Sequence, residues 1–175
     1  MPNNSAPSAP ADRPSGAGAP STPQPAAEGS VDIGGILWTI PAEWQSVGAS
    51  GMRIAEYSVG DPAGAANVRF FSTQGTAQMN IDRWKAQVKD PTDGPTTKSI
   101  SAGPLTVHTV ATTGTYSGMG PGGAPTAPAG GTRMLGAFVE GGARPVQVVV
   151  TGPDAVVRSI EQAWEQMLAK IRIAP

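Results

Sequence analysis

The sequence predicts an α+β domain of about six or seven strands and two helices. Short alternating or β-branched runs recur between Gly, Pro and Asp turns from Ile36 to Val150. Two stretches, 77–89 and 154–171, instead carry apolar residues at helical spacing. The first strands also follow one another through short turns, as an antiparallel meander does.

The closing unit is the clearest. Val146, Val148, Val149 and Val150 read as a buried strand, because β-branched side chains suit a sheet covered on both faces. A turn at Gly152-Pro153-Asp154 then leads into a helix. Val156, Ile160, Ala163, Trp164, Met167 and Ile171 share one stripe of it, while Arg158, Glu161, Gln162, Glu165 and Gln166 face water.

The remaining elements follow in chain order. Ile36, Trp38 and Ile40 alternate along a first strand that Pro41 ends, and Trp44 follows in the turn. A second strand, Met52 to Val59, closes at Gly60-Asp61-Pro62, and a third spans Val68 to Ser72. A helix from Ala77 to Lys89 presents Ala77, Ile81, Trp84 and Val88, and Asp90-Pro91 is its expected stop. A short strand at Lys98–Ser101 and a long one at Leu105–Tyr116 come next. The stretch Ser117 to Thr132 holds mostly Gly, Pro, Ala, Ser and Thr and is expected to be a mobile insertion. Arg133–Glu140 is the sixth strand.

Residues 1 to 30 contain no Val, Ile, Leu, Phe, Trp or Tyr. They cannot bury enough apolar area to offset the entropy of ordering them, so they read as a disordered Pro/Ala-rich tether before a domain at 31–175. The tether is similar to the spacers that follow the lipidated cysteine of bacterial envelope lipoproteins. The chain carries no such cysteine and no signal peptide, which fits a sequence that starts downstream of both.

Composition excludes several functions. The net charge is -1 and no basic run occurs, which argues against nucleic acid. No apolar stretch is long enough to cross a bilayer. With no cysteine and one histidine, thiolate and histidine-cluster metal sites are excluded within one chain, and no cofactor is expected. His108 reads as a solvated residue on a strand face. No G-x-S-x-G elbow or acidic metal loop is present, and the glycines at 118–123 lack the lysine and helix start of a phosphate loop.

Several segments together resemble a family of uncharacterised bacterial envelope proteins with a PsbP-like fold. They are W-T-I-P-A-E-W (Trp38 to Trp44), M-R-I-A-E-Y (Met52 to Tyr57), N-I-D-R-W-K-A-Q (Asn80 to Gln87), G-T-Y (Gly114 to Tyr116), M-L-G-A-F-V-E (Met134 to Glu140) and V-V-T-G-P (Val149 to Pro153). The resemblance implies an antiparallel sheet flanked by helices and a role in binding macromolecules. It supplies no catalytic residue.

These readings lead to a monomeric, non-enzymatic envelope module that binds an unknown protein or envelope component. The alternatives are a small-ligand carrier with a cleft beneath residues 117–132, or an enzyme built on a buried carboxylate pair of raised pKa. The candidate binding residues are Trp44, as a lid on the sheet edge or an exposed anchor, and Asn80 and Arg83 on the edge of the first helix. Tyr116 and Arg133, flanking the long loop, are expected to meet in one polar cleft.

Overall fold

A computed structural model describes residues 25–26, 29–118 and 127–175. The tether at 1–30 and the centre of the long loop therefore lie largely outside the described residues. The boundary at residue 31 falls inside a strand, since Ser30–Ile33 forms β2 and Pro25–Ala26 (β1) pairs with it.

The main sheet has seven antiparallel strands: β4 (Gln45–Ser46), β5 (Arg53–Val59), β6 (Ala66–Ser72), β7 (Val88–Ala102), β8 (Leu105–Tyr116), β9 (Ala129–Glu140) and β10 (Val146–Pro153). Their order is β4-β5-β6-β10-β9-β8-β7, so the valine-rich β10 lies at the centre between β6 and β9. Both faces of that strand are covered, which is why its valines run without alternation. Helices α1 (Ala77–Gln87) and α2 (Asp154–Ala169) pack on opposite faces.

The first predicted strand does not join this sheet. Ile36–Thr39 (β3) pairs with β2 and with Arg172–Ile173 (β11), making a four-stranded sheet of order β1-β2-β3-β11. Its apolar side is shared with α2 and with one face of the main sheet. There Trp38, fully buried, meets Phe70 edge to face at 5.0 Å.

Four boundaries differ from the sequence reading. Helix α1 stops at Gln87, and Val88 passes directly into β7, so Asp90-Pro91 lies within a strand. That strand runs from 88 to 102 and not 98 to 101. It is an edge strand whose side chains from Lys89 to Ser99 are exposed, so no apolar alternation announces it. Pro91 and Pro95, the lysines and two register shifts mark it as a protected edge. Strand β9 begins at Ala129, before Arg133. Strand β10 continues to Pro153 and hands straight over to α2, without the expected turn.

On α2 the buried stripe is Val157, Ile160, Trp164, Met167 and Leu168, continued by Ile171 beyond the helix end. Val156 and Ala163 are only half-buried. Helix α1 holds a smaller core of Ile81, Trp84, Val88, Val110, Met134, Phe138 and Val149. A Cβ on Gly136 would lie 2.6 Å from the Trp84 ring, so the glycine lets the helix sit close to β9.

Candidate functional site

The site is built outward from Arg133. On β9 it stands opposite Thr113 of β8, on the face covered by α2, and its side chain is only 8% exposed. Nη1 donates to Thr113 Oγ1 at 2.9 Å and to Asp93 Oδ2 at 3.2 Å, while Nε donates to Glu161 of α2. Asp93 Oδ2 also accepts from Arg158 Nη2 at 2.7 Å. Arg158 Nε donates to Asp154 Oδ2 at 2.9 Å, and Thr113 Oγ1 donates to Asp154 Oδ1 at 2.8 Å. Arg133, Asp93, Arg158, Asp154 and Thr113 thus close a ring that ties β7, β8 and β9 to the start of α2. Asp154 in the first turn also faces the positive end of that helix.

The ring fixes its protonation states. The hydrogen bond from Arg158, reinforced by the charges of Arg133 and Arg158, holds Asp93 below its usual value. Hydrogen bonds from Arg158 and then Thr113 do the same for Asp154, and the two carboxylates in turn raise the Arg158 guanidinium. A depressed carboxylate pKa stabilises the fold above the unfolded value, near 3.8, and that contribution is lost as pH falls through the lower folded value. Urea midpoints measured from pH 6 downward should therefore fall more steeply below about pH 4 for the wild type than for Arg158→Gln. Parallel pH profiles would show that the ring contributes nothing.

Beside the ring a slot of about 470 Å³ opens between α2 and strands β7 to β9. Ile100, Ala111, Leu135 and Trp164 give it apolar walls, and Asp93, Glu161 and the Lys98–Glu165 ion pair (3.3 Å) form its rim. Arg133 lines it too, and its Nη2 makes no hydrogen bond among the described residues.

Tyr116 does not share this site. It stands three residues beyond Thr113, and side chains alternate between the faces of a strand. Its ring packs against the core beneath α1, on the other side of the sheet, and burial pushes its phenol upward. The expected Tyr116–Arg133 cleft is therefore absent. Trp44 is 5% exposed and inclined against Tyr57 at 6.4 Å, so it covers the core and offers no accessible anchor. Its buried indole Nε1 has no hydrogen-bond partner among the described residues.

Asn80 and Arg83 come together elsewhere. Asn80 is buried, and its Nδ2 donates to the carbonyl oxygens of Thr76 (2.9 Å) and Gln74 (3.4 Å). Arg83 Nη2 donates to Asn80 Oδ1 and Gln147 Oε1, both at 2.8 Å. Arg83 is thus held by amides, with no carboxylate partner among the described residues.

Sequence reasoning missed Asp93, Thr113 and Glu161, because their convergence on Arg133 needs the register of β7, β8 and β9 and the placement of α2. Only the Asp154–Arg158 pair, four residues apart on one helix, was open to a local rule. His108 is also less isolated than it reads. Its Nδ1 lies 2.9 Å from Ser99 Oγ and its Nε2 2.9 Å from Glu140 Oε1. That row has the order of nucleophile, base and orienting acid, yet none of the three residues lines either of the two recesses described here. Among the described residues no group of three or more His, Asp or Glu could hold a metal ion, and no helix is long and apolar enough to cross a membrane.

No family model and no curated protein matches the chain. Among solved structures it is similar to LpqN of Mycobacterium tuberculosis, a protein described as involved in cell envelope biogenesis. The TM-score is 0.52 at 11% identity, over 80% of this chain and 83% of that one. At that identity the likeness establishes a shared α+β fold.

Proposed function

We propose that this chain is a non-enzymatic binding module of a bacterial cell envelope, and that it takes a small amphipathic ligand in the slot between α2 and β7–β9. The observation that carries the reading is Arg133. A guanidinium almost removed from water, with Nη2 uncommitted beside apolar walls, is prepared for a ligand that brings an acceptor atom and an apolar body. The volume, about 470 Å³, lies within the range of small-molecule sites. Asp93 and Glu161 already balance the Arg133 charge, so a neutral acceptor such as a hydroxyl or carbonyl oxygen suits Nη2.

The envelope setting is supported by the fold shared with LpqN and by the PsbP-like motif order, which belongs to the same proposal. The carboxylates of the ring argue against general acid catalysis there. Asp93 and Asp154 are held ionised, whereas a carboxyl acting as an acid near neutral pH needs a raised pKa.

Thr109, half-exposed at the slot, gives the test. Full-length chain purified from its own cells should carry a small-molecule adduct in native mass spectrometry, and Thr109→Phe should lose it while keeping its thermal midpoint. A ligand-free wild type, or the same adduct on both proteins, would sink the reading.

A further inference from the structure

Among the described residues, Arg53, Arg69, Arg133 and Arg158 are paired with carboxylates. Arg83, Arg144 and Arg172 are not, and the first two line a second recess of about 780 Å³ between the β6–α1 loop and the β9–β10 turn. We propose that this recess binds a phosphate-class oxyanion carried on an apolar body, a site separate from the slot.

The first argument is how Arg83 is held. Asn80 and Gln147 are 3% and 8% exposed, and each directs its one amide oxygen at the same Nη2. Two nearly buried amides fix the direction of the guanidinium without cancelling its charge. Nη1 and Nε have no hydrogen-bond partner among the described residues; they point in different directions and form no parallel fork, but each remains a charged donor for an oxyanion oxygen. A guanidinium that only solvates a helix face needs no such clamp.

The second argument is the composition of the recess. Its lining contains no Asp or Glu, and Arg144 enters it from the opposite turn. Ser72 adds a hydroxyl. Helix α1, which begins beside the recess, has no acidic residue in its first turn to offset its positive end. The remaining wall is apolar. Phe71 is half-buried, and Met52, 87% exposed, is the most exposed large apolar side chain described. Charge and apolar wall together fit a phosphate ester better than a bare ion.

Two sources share that chemistry, a soluble phosphate ester and a phospholipid headgroup. The full chain would be titrated with inorganic phosphate by calorimetry and sedimented with phosphatidylglycerol or phosphatidylcholine vesicles, each at low and high salt. Wild-type protein should bind phosphate, or phosphatidylglycerol vesicles in preference to phosphatidylcholine, and release them as salt screens the charges. Phosphate binding without vesicle binding identifies a soluble source, and selective vesicle binding identifies a headgroup. Arg144→Gln, at an exposed position, should weaken binding roughly tenfold with an unchanged thermal midpoint. Arg83→Gln should weaken it at least as much but also lower the midpoint, because it leaves the buried amide oxygens of Asn80 and Gln147 without their donor. The proposal is overturned if the wild type binds neither probe, or if both variants bind as well as it does.

Discussion

Replacing Trp84 with alanine should lower the unfolding free energy by about 3–5 kcal/mol, the range for truncating a large buried aromatic. Trp84 is 2% exposed and is the largest side chain in the core between α1 and the sheet. Helix α1 has few other apolar contacts of its own, since only Asn80, Ile81 and Trp84 are buried on it. An eleven-residue helix is marginal alone, so its order depends on this packing. Gly136 supplies the control. In the wild type Gly136→Ala sets a Cβ 2.6 Å from the ring, so ring or strand must move and stability should fall by about 1–3 kcal/mol. After Trp84→Ala that methyl has room, and the same substitution should cost much less. A double-mutant cycle by urea denaturation measures the coupling. Additive effects would mean that the glycine is not there to receive the ring.

Arg133→Met should cost about 2 kcal/mol of stability and abolish occupancy of the slot. The side chain is 8% exposed and donates to Thr113, Asp93 and Glu161 from one guanidinium. Removing it leaves carboxylates that still reach water, because Asp93 is 51% and Glu161 33% exposed. The loss therefore stays below the 3–5 kcal/mol of a fully buried broken pair. Methionine keeps the aliphatic volume, so what changes is the charge and its hydrogen bonds. Denaturant midpoints report the first effect and native mass spectrometry the second. A variant that keeps both its stability and its adduct would remove Arg133 from the site.

Legibility followed the range of the interactions. The strand Leu105–Tyr116 was read to its ends, because its alternation and the Gly103-Pro104 turn before it are local signals. The closing helix was placed with most of its stripe, Ile160, Trp164, Met167 and Ile171, but Val157 and Leu168 are buried where Val156 and Ala163 were expected. Val156 and Val157 are both apolar, and only the packed sheet decides which is buried. The edge strand β7 was largely invisible for the opposite reason, since its exposed residues carry no apolar period. Of the five candidate residues, Arg133 and Arg83 stand at recesses and Asn80 positions Arg83. Trp44 and Tyr116 are core side chains.

The sequence by itself determined the class of fold, the two helices and the buried valine strand that precedes the second of them. Those follow from side-chain periodicity, which acts within a few residues. Tertiary structure alone decided that β3 pairs with β11 across more than a hundred residues, that Tyr116 and Arg133 lie on opposite faces, and that Gln147 reaches Arg83 from 64 residues away. Each depends on strand register or on which face a helix covers, and a one-residue change in register turns a side chain to the other side of the sheet.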